Sequence, residues 1–468
     1  MSAPVNPPEP LAAENRDFGR LLADQIETLA FPRVEAFDVT TARRRKLRGE
    51  PKTAELRRGR RTRREAGVQT VTLVDEDGVL KWQTGSVAPS RLRTGRRRAA
   101  GQATGRVVQQ VKFTALPRNR VDALLQDLDE RLTPNQGLRE VTKQGKVRQT
   151  DHATPARNGR ILLFVHGTFS SCENVLEEIH ATKEGKALVP WAYSQGGYGQ
   201  VLAFNHPTLS VPPILNAVTL ARTFAGSTAE VDVVCHSRGG LVTRWWLEAL
   251  DRSPTGRGRV VFVGSPLGGT GLAAPANLKD AIDALTNLAR GISIASKVAG
   301  AVFPVAAPLT MAVGMLASVV SGVTSVASKT PILDAGIALV PGLNAQSRQG
   351  GNAEVLGLRD SFAQLSTADS GRYQARYYAV RSNFESENPG WRFWRHFRRD
   401  ALLDRATAAI FDGENDLVVD TPSMRELSDD RTFRDDNIKD FGSNAVVHHV
   451  NYFQQPATIE FLRRALTR

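Results

Sequence analysis

The sequence predicts an α/β protein: a mainly parallel sheet with helices on both faces, an inserted apolar helical cap, and a basic N-terminal region of unknown fold. Three observations predict it. The segments RILLFVHG, VDVVCHS, RVVFVGSP, YYAVRS and NAVVHHV are apolar runs rather than alternating ones, with helical patterns between several of them. Such runs suit strands covered on both faces. The uncharged stretch 298–328 interrupts this pattern over 31 residues. Charge is also confined: residues 41–110 hold 19 Lys and Arg against 6 Asp and Glu, while the rest of the 468 residues carries 42 of each.

Along the chain, residues 1–40 begin Pro-rich and turn helix-like at RLLADQIETLAF. The arginine runs RRRKLR, RRGRRTRR and RLRTGRRR follow. Between them, VQTVTLVDEDGVLKWQTG reads as two short strands around an acidic turn at Gly78. GRVVQQVKFTAL is a further strand, before the amphipathic helix RVDALLQDLDERL. These features define an Arg-rich accessory region, 1–150, partly ordered, ahead of an α/β domain at 151–468 with an insertion at about 271–370.

The arginine-rich residues 43–98 have three functional readings and one bland one, a solvated linker. Attraction to an anionic membrane contributes about 1 kcal/mol per basic residue. Nucleic acid fits less well, because single-strand binding calls for interleaved aromatic residues and Trp82 stands alone here. An acidic protein partner is the third.

The stretch 298–328 exceeds the roughly 20 apolar residues a membrane span needs. Pro304, Pro308 and several Gly weaken it as one continuous helix. A lid of small-residue helices is the preferred expectation, and a membrane-inserted hairpin is the alternative. Two cysteines, Cys172 and Cys235, exclude a disulfide scaffold and predict free thiols in a reducing compartment, although the two could approach each other. The opening MSAPVNPPEPLAAENRDF has neither a basic n-region nor an apolar h-region. The expectation is a cytoplasmic location, with membrane association left open by the basic segment.

The chemistry-bearing letters start at VDVVCHSRGG. An apolar strand runs into Cys235-His236-Ser237-Arg238-Gly239, the frame G-x-S-x-G with cysteine in place of its first glycine. A strand-turn-helix of this kind lifts a serine above the sheet edge, where a base can reach its hydroxyl. The turn crowds the positions two before and two after the serine, so both must be small, as Cys235 and Gly239 are. Upstream, His166-Gly167-Thr168-Phe169 ends another strand in a tight loop whose N–H groups could meet an oxyanion. Downstream, AIFDGENDLVV offers Asp416, with Asp412, Glu414 and Asp420 as rivals in the same loop. NAVVHHVNYF offers His448 and His449, which a one-residue shift near a strand end would interchange. Trp245 and Trp246 on the elbow helix read as core, since adjacent helical residues point to different sides. No His/Asp spacing suggests a metal site and no cofactor motif is present, so none of either is expected.

These four signals, in this order from about Gly159 to the end, resemble the α/β-hydrolases, in particular bacterial lipases and esterases. FVHGTFSS resembles their oxyanion loop, and VDVVCHSRGGLVTRWW their nucleophile elbow. VVFVGSPLGGT resembles the strand and loop that follow, with Ser265, Leu267 and Gly268 departing from the usual pattern. GENDLVV resembles the acid loop, and HVNYFQQPATIEFL the histidine and last helix. The resemblance implies Ser237 as nucleophile, His449 as base and Asp416 as the acid that orients it. It implies backbone N–H groups of Thr168 or Phe169, and of Arg238, as oxyanion donors. His166, Gly167, Cys235, His236 and Gly239 would shape the two loops. The activity implied is cleavage of carboxylic esters, with acyl or lipid esters favoured by the apolar insertion. An acyltransferase or amidase on the same residues is the rival within the fold. A non-catalytic scaffold whose basic region binds membrane or nucleic acid is the rival outside it.

Overall fold

The computed structural model describes residues 9–28, 35–37, 68–84, 106–114, 121–149, 152–251, 253, 257–274, 277–299, 306–314, 316, 340–348, 352–398 and 410–468. The arginine runs at 43–48, 57–64 and 91–98 lie outside these residues, as does most of 298–328.

The N-terminal region contains a sheet. Strands β1 (Glu35–Phe37), β2 (Val68–Glu76), β3 (Val79–Thr84) and β4 (Arg106–Thr114) pair antiparallel in the order β1-β4-β2-β3. The acidic turn is a two-residue hairpin with Asp77 and Gly78 both left-handed, at φ 53° and 88°. That geometry matches the twist of the flanking strands and suits an Asp-Gly pair. Val71, Leu73, Leu80, Trp82 and Val111 are buried together with Phe18 and Leu22 of the helix Glu9–Thr28.

The second sheet has seven strands. They are β5 (Gly137–Glu140), β6 (Arg160–Val165), β7 (Gln200–Asn205), β8 (Glu230–His236), β9 (Val260–Val263), β10 (Tyr377–Phe384) and β11 (Ile438–Asn444). Their order is β11-β10-β9-β8-β6-β7-β5, parallel throughout except where β5 joins β7.

The continuous apolar runs have a direct cause. Along β6, Leu162 and Phe164 enter one apolar cluster, while Ile161, Leu163 and Val165 enter another. β9 divides in the same way, with Val261 and Val263 opposite Val260 and Phe262. Alternate side chains point to opposite faces of a strand, so both faces of this sheet are buried. The helices Cys172–Ile179, Leu188–Ser194 and Pro456–Leu466 cover the first face. Pro213–Thr223 and the elbow helix Gly239–Arg244 cover the second. This is the α/β-hydrolase fold.

Two expectations are corrected. The sheet starts before residue 151, because β5 pairs with β7 through Gly137↔Asn205 to Glu140↔Leu202. NAVVHHV is not a strand: β11 ends at Asn444 and the chain turns through 445–450. β11 is an edge strand with mostly exposed or half-buried side chains, so it lacks the apolar run of its neighbours.

Within the expected insertion, the cap helix Leu278–Ala299 is the longest described element, and 306–314 is also helical. Ile282, Leu285, Leu288 and Ile292 of the cap helix join Leu309 and Val313 in one cluster. That cluster continues into the N-terminal sheet and into Phe169 and Val450, beside the candidate site. Among the described residues, no helix is long and apolar enough to cross a membrane.

Candidate active site

β8 is a central strand of its sheet, and Ser237 follows it directly. The backbone of Ser237 is left-handed, at φ 52°, a region that residues with a Cβ rarely occupy. Such strain persists only where the surroundings impose it, and it is concentrated at reacting groups. Here the surroundings are tight. A Cβ on Gly167 would lie 2.7 Å from that of Ser237, and one on Gly239 would lie 2.6 Å from the carbonyl oxygen of Val165. Both glycines are therefore required by close approach of the oxyanion loop to the elbow.

Ser237 meets His449 and not His448. The Ser237 hydroxyl lies 2.9 Å from His449 Nε2, and His449 Nδ1 lies 2.8 Å from Asp416 Oδ2. With its proton on Nδ1, His449 donates to Asp416 and accepts from Ser237. His448 packs between Trp391 and Phe384 instead, and burial lowers its pKa to about 3. All three members of the row are buried.

The acid loop also distinguishes its carboxylates. Asp412 and Glu414 are exposed, and Asp420 pairs with Arg348 at 3.7 Å. Asp416 is fully buried and accepts four hydrogen bonds. Val418 and Val419 donate their backbone N–H groups to Oδ1 at 3.1 and 2.8 Å, while His449 and the Tyr452 hydroxyl share Oδ2. A buried charge needs this degree of compensation. Leu417 takes up a left-handed conformation, at φ 82°, in the turn that presents these donors.

The oxyanion loop begins at His166, which is buried, held neutral with a pKa lowered to about 3, and accepts the His206 N–H at 3.1 Å. Phe169 is left-handed at φ 57°, and its N–H is directed to Thr208 Oγ1 at 3.4 Å. Among the described residues, no group accepts the N–H of Thr168 or of Arg238. Those two donors are thus the open pair beside Ser237, an arrangement that can hold a developing oxyanion. His236 is buried and held neutral at about 3, and its Nε2 lies 3.0 Å from the carbonyl oxygen of His449.

Cys235 is fully buried in the apolar cluster on one face of the sheet, and burial raises its thiol pKa. Cys172 lies in the cluster on the opposite face, and both are free thiols. The sheet stands between them, which corrects the expectation that the loops could bring them together. Trp246 is buried against Phe224, with ring centroids 4.9 Å apart, and neither it nor Trp245 lines the cavity.

Above Ser237 lies a narrow cavity of about 80 Å3. Ser237, His236, His449 and Thr168 form one end, and Ala281, Ile282, Leu285, Leu288, Leu309 and Leu316 of the cap form the other. Among the described residues that line it there is no Asp, Glu, Lys or Arg. Among the described residues, no group of three or more His, Cys, Asp or Glu is placed to hold a metal ion.

Four contributing residues escaped the sequence reading. Tyr452 holds Asp416, Gln346 donates to Thr168 Oγ1 at 3.1 Å, and Thr208 receives the Phe169 N–H. Asp129 anchors Thr208 by accepting its N–H at 2.7 Å, together with those of Leu209 and Ser210. Only Tyr452 carried a local signal, three residues after the histidine.

Residues 131–467 match the family described as Domain of unknown function (DUF7379). The chain belongs to that family. No curated protein matches this DUF7379 chain. Solved structures similar to it include lipase BlEst2 of Bacillus licheniformis in mature form. That protein is 14% identical over 68% of this chain and 96% of its own, with a TM-score of 0.34. Lipase 1 from Pelosinus fermentans is 12% identical over 66% of this chain and 98% of its own, with a TM-score of 0.36. Naproxen esterase from Bacillus subtilis is 13% identical over 75% of this chain and 98% of its own, with a TM-score of 0.30.

Proposed function

We propose that this chain is a serine hydrolase that cleaves carboxylic esters with long apolar acyl groups. The observation that carries the reading is the row Ser237–His449–Asp416, with contacts of 2.9 and 2.8 Å, at one end of an uncharged cavity. In this reading His449 takes the Ser237 proton as the hydroxyl oxygen attacks the ester carbonyl. Asp416 keeps the imidazole in the tautomer that can accept that proton and stabilises the imidazolium that results. The N–H groups of Thr168 and Arg238 hold the oxyanion of the tetrahedral intermediate. His449 then returns the proton to the departing alcohol, and an acyl group remains on Ser237. Water, deprotonated by the same imidazole, releases the acid and restores the serine.

The cavity supports the acyl preference, because an uncharged apolar wall offers nothing to a charged or short polar group. The arginine-rich residues 43–98 fit the same reading as a docking segment for an anionic lipid surface. The test is a series of p-nitrophenyl esters from acetyl to dodecanoyl, with wild type and Ser237→Ala. Turnover should rise with chain length and fall by roughly a million-fold in kcat on loss of the hydroxyl. A preference for acetyl over every longer chain overturns the substrate class.

A further inference from the structure

The cap helix Leu278–Ala299 has two working faces. Ala281, Ile282, Leu285 and Leu288 line the cavity above Ser237. Asp283, Thr286, Asn287 and Arg290 follow the complementary spacing and point the other way. All four are polar, and all are at most 1% exposed. A face of this kind is tolerated only when each group has a partner.

Their partners come from the N-terminal sheet. β3 is the edge of that sheet, and an edge strand presents unpaired N–H and C=O groups. The Asn287 carboxamide takes both groups of one residue: its Oδ1 accepts the Leu80 N–H at 3.0 Å, and its Nδ2 donates to the Leu80 carbonyl at 2.8 Å. It thereby stands in for a neighbouring strand. Two residues on, the Trp82 N–H donates to Asp283 Oδ1 at 2.7 Å, and the Trp82 indole N–H donates to Thr286 Oγ1 at 2.9 Å. Arg290 donates to the Gly78 carbonyl in the hairpin turn at 2.7 Å and to Asn15 Oδ1 at 3.1 Å. Asn15 in turn donates to Asp75 at 2.7 Å, which closes the network on β2.

We propose that the N-terminal sheet is a structural half of the acyl site: through Leu80 and Trp82 it fixes the cap helix at the height that sets the chain length Ser237 can serve. Asp283, Thr286 and Asn287 are positioning residues in this arrangement, since they touch β3 and not the cavity. The proposal rests on the ester-hydrolase reading for its substrate and on the packing alone for its mechanics. It gives the accessory region a function that does not depend on its arginine runs. The cap helix is then a wall with a fixed backing rather than a free lid, because lifting it would expose four polar groups and an open strand edge together.

The experiment compares full-length wild type with Asn287→Ala by hydrogen exchange and by relative turnover of p-nitrophenyl decanoate and acetate. In the variant, exchange across residues 278–299 should accelerate by about tenfold while β6 and β8 stay protected. The decanoate-to-acetate ratio of kcat/KM should fall by about tenfold. Thr286→Val, which keeps the side-chain shape and loses only the hydroxyl that accepts the Trp82 indole N–H, should move both readouts the same way by less. It decides the matter if Asn287→Ala does not fold. Wild-type exchange across 278–299 and a wild-type ester ratio in the folded variants overturn the proposal. If wild type hydrolyses neither ester, the hydrolase reading has failed, and the exchange data alone decide whether β3 holds the cap helix.

Discussion

The Tyr452 hydroxyl donates to Asp416 Oδ2 at 3.0 Å, on the same oxygen that receives His449 Nδ1 at 2.8 Å. Asp416 thus divides one oxygen between a group that would cycle its proton and one that holds its own. Burial and the neighbouring Asp416 charge both raise the Tyr452 pKa, so the phenol remains a donor. Gly264 makes room for the pair, since a Cβ there would lie 2.7 Å from the Tyr452 ring.

Tyr452→Phe removes that donor and leaves the ring. Asp416 then keeps three of its four hydrogen bonds, and its Oδ2 is held by His449 alone. The value of kcat/KM should fall by about tenfold, as expected for the loss of one hydrogen bond to the carboxylate. A kcat/KM equal to that of wild type would contradict the role given to Tyr452.

Asp129 reaches the site from the helix Val121–Leu132, well outside the motifs. It accepts from Thr208, Leu209 and Ser210, and Thr208 receives the Phe169 N–H of the oxyanion loop. Asp129→Ala leaves several buried N–H groups unpaired, at about 1–3 kcal/mol each. Lower thermal stability and a fall in kcat larger than any change in KM are expected. Calorimetry and steady-state kinetics check both, and unchanged kcat would show that the 208–210 loop does not govern the oxyanion donors.

Burial pushes the Asp283 carboxyl up to about 6, against an ordinary value of 3.8, with Lys279 opposing the shift. The folded form therefore holds its proton more tightly than the unfolded chain does. Stability from this group is present below about pH 4 and is lost as pH rises through 6. Asp283→Asn keeps an oxygen for the Trp82 N–H and no longer titrates. Relative to wild type, it should gain up to about 3 kcal/mol between pH 4 and pH 8 in urea unfolding. A difference independent of pH would remove Asp283 as a buried titrating group.

Cys235 tests the elbow. Its side chain is fully enclosed, with the sulfur 3.5 Å from the Val261 carbonyl oxygen. Cys235→Gly should cost about 1–2 kcal/mol of stability and keep the ester turnover proposed for wild type. Cys235→Leu overpacks the turn by about 1–3 kcal/mol and should displace Ser237. Activity retained in the leucine variant would show that the position is not crowded.

What was legible in the sequence was local. Strands such as RILLFV, buried on both faces, announce themselves as apolar runs, and the elbow is written in five consecutive letters. β5 was missed because GLRE buries only its two middle residues, and β11 because an edge strand has little to bury. The ambiguity between His448 and His449 arose from an assumed strand; the chain turns here instead and ties the His449 N–H to the Asp416 carbonyl at 3.0 Å. Asn287 with Leu80, and Asp129 with Thr208, lie 207 and 79 residues apart. Pairs this distant leave no periodicity in the chain, because each side chain reads alone as an ordinary polar residue.

The most direct measurement of the central claim is labelling by a fluorophosphonate, with the modified peptide located by mass spectrometry. A single adduct should form on Ser237, absent from Ser237→Ala and strongly slowed in His449→Ala. Folded wild type that does not label, or that labels at another residue, would contradict it.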